Sequence, residues 1–187
     1  MTPQRETYPI TLAGVQRHLP LFEVAPGLKI AVLNILGDVE LTQAAARALA
    51  AKLRAVDFDV LVTAEAKAIP LAYALAVEMD KPYVVLRKSY KPYMGEAIQA
   101  ETLSITTGKP QTLYLDEKDR HLIHGKKVAL IDDVISTGST LQGMRLVMEK
   151  AGAQVAVEAA ICTEGDRAKW MNIIALGHLP LFTEEHA

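Results

Sequence analysis

The run VALIDDVISTGSTL, residues 128–141, opens with unbroken apolar residues, passes through two acids and ends in a loop rich in hydroxyls. With Lys127 before it, the segment 127–131 reads as a strand buried on both faces, as in the centre of a parallel sheet. Residues 139–151 then carry apolar side chains at helical spacing and stop at Gly152, a favourable C-terminal cap. Ligands of open α/β sheets bind beyond the carboxyl ends of the strands, so Asp132 and Asp133 should project into that crevice. Ser136, Thr137, Gly138, Ser139 and Thr140 should wrap a phosphate. There the glycine lets backbone amides approach, the hydroxyls donate, and the helix start adds its positive dipole end. The loop has neither GxxxxGK[ST] nor GxGxxG, which argues against a Walker-A site and a dinucleotide fold. Two carboxylates beside a phosphate would repel it, so they must face something else. A ribose diol and a divalent metal are the obvious candidates, since carboxylates accept from hydroxyls and suit Mg²⁺.

Outward from this run, strands and helices alternate. Residues 28–35 read as a buried strand, 39–54 as an Ala-rich helix and 59–63 as a second strand. A helix over 69–79 opens near Pro70, and 82–86 and 153–161 supply further strands. The first 25 residues, with Pro9 and Pro20, suggest short strands and turns. Residues 87–109 lose all periodicity and read as a long mobile excursion, the kind of loop that often serves as a lid. No repeat, low-complexity tract or linker divides the chain. The whole is expected to be an α/β fold with a parallel twisted sheet flanked by helices and right-handed crossovers.

A chain of 187 residues suits one domain and, at roughly 70% of its unfolded surface buried, needs no staples. The net charge of -2 gives no electrostatic reason to expect nucleic acid. The single Cys162 sits in an apolar run and reads as a buried thiol. His18, His121, His124, His178 and His186 show no metal spacing. There is no signal pattern at the N-terminus and no membrane-length apolar run, so a cytoplasmic enzyme without a membrane partner is expected.

The segment LIDDVISTGST, residues 130–140, resembles the signature of the type I phosphoribosyltransferases, which bind 5-phosphoribosyl-1-pyrophosphate (PRPP). The resemblance implies that Asp132 and Asp133 hold the ribose hydroxyls and a Mg²⁺ ion, and that Ser136, Thr137, Gly138, Ser139 and Thr140 hold the 5-phosphate. Ala64, Glu65, Ala66, Lys67 and Ala68 look like the Glu-Ala-Arg-Gly pyrophosphate loop of adenine phosphoribosyltransferases. Lys67 stands in place of the arginine, which keeps the charge and loses the bidentate geometry. Arg87, Lys88 and Lys91 resemble the cations leading into that subfamily's lid. Asp166 and Arg167 fall where family members contact or support the base. On this reading residues 1–27 and 163–187 form a hood, 87–111 form a flexible lid, and Asp132, Asp133, Lys67 and Arg87 are the catalytic set.

The implied reaction joins a purine base and PRPP, with adenine the first expectation, and a homodimer is expected from the family. Two departures keep the base open. Residues 104–109 (SITTGK) lack the acid that adenine enzymes carry before their Gly-Thr pair, and the N-terminal segment lacks a Phe-Pro pattern. Xanthine, guanine and hypoxanthine remain alternatives. So does a regulator that senses PRPP with the same fold, although no helix-turn-helix segment accompanies it.

Overall fold

The computed structural model describes residues 5–103 and 110–183. In chain order the elements are β1 (Thr7–Leu12), β2 (Val15–Ala25), β3 (Leu28–Ala31), α1 (Val39–Leu53) and β4 (Val60–Ala64). Next come α2 (Ile69–Met79), β5 (Tyr83–Leu86), β6 (Ile98–Leu103), β7 (Pro110–Leu115) and α3 (Arg120–Ile123). The chain continues with β8 (Lys127–Ile135), α4 (Ser139–Lys150), β9 (Gln154–Glu164), β10 (Ile174–Leu179) and β11 (Leu181–Thr183). Five strands form one parallel sheet in the order β10-β9-β8-β4-β5. The expected α/β architecture is therefore present.

The alternation of residues along the central strands sorts the core into two faces. Leu61, Ala129, Ile131, Ala159 and Ile161 join Leu41, Leu49, Leu71 and Leu75 of α1 and α2 on one face. Val60, Val62, Val128, Leu130 and Ala160 join Met144, Val147 and Met148 of α4 on the other. From β4 the chain steps outward to the edge strand β5, then returns to β8 on the other side of β4. The order of strands thus reverses between β4 and β8, and α2 and α4 leave those strands on opposite faces. Such a switch point opens a crevice at the carboxyl ends of the two strands.

Three expectations need correction. The strand foreseen over 28–35 is shorter and lies elsewhere: β3 belongs to an antiparallel sheet of order β1-β2-β3-β11. Lys29 is exposed between half-buried Leu28 and Ile30, an alternation suited to a sheet with one wet face rather than a buried parallel strand. The segment after residue 162 is not wholly an appendage, because β10 completes the parallel sheet beside β9 and only β11 crosses to the antiparallel one. Gly177 makes this possible, since a Cβ there would lie 2.5 Å from a Leu12 methyl carbon and 3.3 Å from Cys162 Sγ. Finally, much of the excursion after β5 is ordered. The strands β6 and β7 pair antiparallel and pack on α4, while Arg87 bridges to Tyr114 through two backbone hydrogen bonds of 2.9 Å. Residues 104–109, where the missing lid acid was noted, lie outside the described residues.

Among the described residues, no helix is long and apolar enough to cross a membrane.

Candidate active site

Strand β8 runs on through both acids, so Asp132 and Asp133 sit on its last turn of pleat rather than in the loop. Their neighbourhood is crowded with negative charge. The Asp133 amide donates to Asp132 Oδ1 at 2.8 Å. Burial, followed by the adjacent Asp133 charge, pushes the Asp132 carboxyl up to about 8. Lys67 brings its Nζ to 3.2 Å from Asp133 Oδ2. That contact is an ion pair by distance without hydrogen-bond alignment, and Asp133 Oδ2 stays buried with no hydrogen-bond partner among the described residues. Thr63 Oγ1, one residue before the end of β4, is likewise buried and unpartnered. Unsatisfied buried acceptors are costly, and a ligand hydroxyl would satisfy them.

The loop 136–140 joins strand to helix as the sequence suggests. Gly138 adopts φ +81°, a left-handed conformation that disfavours any side chain. A Cβ at this position would also lie 2.8 Å from the Trp170 ring. Trp170 is held beneath the loop by its Nε1–H, which donates to the Glu164 carbonyl at 2.9 Å. Thr137 Oγ1 and Ser139 Oγ share a hydrogen bond of 3.0 Å, and a small cavity of about 30 Å³ lies among residues 136–140 and Asp132. The N-cap Gly138 has no side chain to offer and the Ser139 amide makes only a long bond of 3.4 Å to Thr137 Oγ1, so the amides that follow stay available for an anion.

The neighbouring loop after β4 works with charges instead. Ala64 ends the strand, buried, and Glu65 follows across a cis peptide to Ala66. Glu65 Oε2 accepts from Arg87 Nε at 2.7 Å, and Oε1 accepts from the Lys88 amide at 2.5 Å. Burial works to raise the Glu65 carboxyl, yet the Lys88 amide and the Arg87 guanidinium together hold it below the ordinary range. The Tyr93 hydroxyl and then Glu65 raise Arg87 further. Lys88 has an exposed side chain, and Lys91 is half-buried, its amide donating to the Met94 sulfur at 3.3 Å.

The two base-side expectations separate. Asp166 caps the short turn Arg167–Trp170 by accepting from the Ala168 amide at 3.0 Å. Arg167 instead lines an open cavity of about 460 Å³ together with Tyr8, Gly165, His178, Pro180 and Leu181. This cavity lies between the antiparallel sheet and the carboxyl ends of β9 and β10. Burial and the Arg167 charge push His178 below its usual value, and its Nδ1 lies 2.9 Å from Thr163 Oγ1. Sequence reasoning missed Trp170, His178 and Glu164. Burial raises the Glu164 carboxyl, and Lys67 partly offsets this. The lone tryptophan, eleven residues before the antiparallel strand that closes the cavity, was the only available signal. Cys162 is buried as expected, its thiol pushed up to about 12 by burial and then by Asp133.

The phosphoribosyl transferase domain matches residues 34–175, well over half of the sequence. The chain belongs to the phosphoribosyltransferase family. Within that family it is 36% identical to a hypoxanthine/guanine phosphoribosyltransferase of Methanococcus voltae over 59% of this chain and 55% of that protein. It is 29% identical to the purine biosynthesis transcriptional repressor PurR of Bacillus subtilis over 82% of this chain and 55% of the repressor. The chain thus spans about half the length of these curated relatives. Its fold resembles that of an adenine phosphoribosyltransferase from Thermoanaerobacter pseudethanolicus, with a TM-score of 0.66 over 92% of this chain and 95% of that one. Identity there is 20%, so the phosphoribosyltransferase fold is what the two have in common.

Proposed function

We propose that this protein transfers the phosphoribosyl group of PRPP to a 6-oxopurine such as hypoxanthine or guanine and releases pyrophosphate. The observation that carries the transfer is the pairing at one switch point of two different anion sites. An uncapped helix start behind Ser136–Gly138–Thr140 suits a phosphate monoester, and a cationic loop bearing Lys67 with Arg87 nearby suits a diphosphate. The strand-end acids Asp132 and Asp133 lie at the same edge and offer acceptors to the hydroxyls of a ribose. Among the described residues no group of three or more His, Cys, Asp or Glu side chains could enclose a metal. The unsatisfied Asp133 Oδ2 nevertheless suits a hard cation, so Asp132 and Asp133 would help hold a Mg²⁺ ion. When bound, such an ion neutralises charge on the departing diphosphate.

The chain's own residues do the rest. The phosphate loop fixes the 5-phosphate, and the acids orient the ribose. Lys67 and Arg87 meet the charge that grows on the leaving group as the C1–O bond breaks. A ring nitrogen of the base then bonds to C1 and its N–H bond breaks, the proton passing to solvent. For the base, the cavity beside Arg167 and His178 offers donors, which match the acceptor at position 6 of an oxopurine better than the amino group of adenine. The hypoxanthine/guanine relative supports the same preference.

The test is pyrophosphate release with PRPP, Mg²⁺ and each purine supplied singly. Release with hypoxanthine or guanine is expected; release with adenine alone would overturn the base assignment and keep the transfer. The likeness to PurR supports a second reading, a PRPP sensor. Saturable PRPP binding with no turnover on any base would favour it.

A further inference from the structure

From the geometry of the loop after β4 we infer that Glu65 is a positioning residue: it aims the Arg87 guanidinium at the diphosphate and does not itself touch PRPP. The inference rests on the PRPP-binding part of the proposed function. Both Glu65 oxygens are already engaged, one by Arg87 Nε at 2.7 Å and one by the Lys88 amide at 2.5 Å. A carboxylate held at both oxygens is fixed in place by the protein, it has no donor to offer phosphate, and its charge would repel a diphosphate. Its effect must therefore pass through the groups it holds.

Arg87 is held through both its backbone and its side chain. Its backbone pairs both ways with Tyr114 at 2.9 Å, which fixes the main chain where β5 ends. Glu65 takes Nε, the inner edge of the guanidinium, and the Tyr93 hydroxyl is a second, neutral partner that a diphosphate would displace. The Arg87 side chain is 34% exposed, and it lies at the same sheet end as Lys67. A planar fork held at its inner edge is suited to bidentate recognition of phosphate oxygens. This accounts for how the chain manages without an arginine at position 67. Lys67 supplies a point charge from the loop, and the oriented guanidinium arrives from the next strand. The Glu65 ion pair also ties the loop after β4 to the root of the β6–β7 hairpin, so the two cationic elements keep a fixed spacing.

The experiment is calorimetric titration of PRPP with Mg²⁺ into the wild type and into Glu65→Ala, Glu65→Gln, Arg87→Ala and the Glu65→Ala/Arg87→Ala double variant. AMP, which carries only the monophosphate, is titrated in parallel as a check that the phosphate loop is intact. Expected are a loss of about tenfold in PRPP affinity for Glu65→Ala, a smaller loss for Glu65→Gln, and AMP affinity within about twofold of wild type. The double variant should bind PRPP no more weakly than Arg87→Ala alone, because the two residues act as one unit. Additive losses would overturn the inference, as would unchanged or tighter PRPP binding by Glu65→Ala. Equal losses for AMP and PRPP would point to a structural role and overturn it too. Since the readout is binding, a wild type that binds PRPP without turnover sinks the transfer reading and leaves this test decisive. A wild type that does not bind PRPP overturns both.

Discussion

The loops after β8 and β4 leave adjacent strands at the same sheet edge, yet they are held by different means, and the proposed function gives each a different anion. The first, residues 136–140, relies on local conformation: a left-handed glycine, hydroxyls spaced one and two residues apart, and the open start of α4. The second relies on partners far away in sequence. Glu65 reaches Arg87, 22 positions on, and Lys67 reaches Asp133 on another strand. Local devices are rigid and specific for a small, fixed anion, whereas long-range ion pairs can exchange a protein partner for a ligand. A diphosphate that must leave after reaction suits the second design better.

The sharpest way to break this contrast is Gly138→Ala. The left-handed backbone costs a side chain about 1–2 kcal/mol. The 2.8 Å approach to Trp170 adds an overpacking cost of about 1–3 kcal/mol. Tm should fall by several degrees, at about 2–4 °C per kcal/mol for this chain length. AMP and PRPP affinities should fall together, by a hundredfold or more on the order of two lost charge-assisted hydrogen bonds. Equal affinities before and after substitution would mean that the loop's conformation is not what binds phosphate.

Asp133→Asn probes the meeting point of the two loops. The loss of a charged acceptor should lower kcat/KM by about 10- to 100-fold. Stability should move the other way. The folded-state value of Asp132 is raised to about 8, well above its unfolded value, so between the two the native state holds a proton that the unfolded chain has released. Stability from this group is accordingly greatest in acid and is lost as pH rises toward about 8. Removing the Asp133 charge takes away part of that upward shift. Thermal melts of the ligand-free variant should thus show a flatter decline between pH 5 and 8 than those of the wild type, and a parallel decline would contradict the assignment.

These contrasts also explain what could be read beforehand. The β8 loop was legible because its strand, acids, glycine and helix are consecutive, so local sequence carries the whole device. The helix α2 was legible for the same reason, with Pro70 at its start and apolar spacing through Met79. The role of Glu65 was not, because its charge pattern is equally consistent with touching a ligand or holding an arginine. Only the fold decides which. β10 was missed because IALGHL contains Gly177 and His178 and gives no clean alternation; its place is set by Leu12 closing over the glycine. His178 and Trp170 were obscured in the same way, since each acts across strands rather than along the chain.

Arg167 and Asp166 extend the contrast between reach and local conformation to the base. Arg167→Ala should raise KM for the base by roughly tenfold, the worth of one hydrogen bond from a charged donor, while PRPP affinity stays unchanged. Asp166→Ala should cost about 1 kcal/mol through the lost turn cap and alter the base KM only as far as the turn displaces Arg167. The order of the two effects matters more than their size. If Asp166→Ala has the larger effect on the base KM, Asp166 contacts the base and the turn is secondary.

Lys67→Arg is the mildest change and separates the two loops most finely. If Glu65 already aims the Arg87 fork at the diphosphate, a second guanidinium adds charge geometry that the site has already obtained from β5. KM for PRPP should then shift by no more than roughly two- to fivefold, the scale of a solvent-exposed ion pair. In the Arg87→Ala background the same substitution should matter more, because position 67 becomes the remaining source of a bidentate donor. A steady-state comparison of Lys67→Arg in the two backgrounds reads this directly. An equal effect in both would mean that the cations of the two loops act independently, and that the fixed spacing between them contributes nothing to diphosphate recognition.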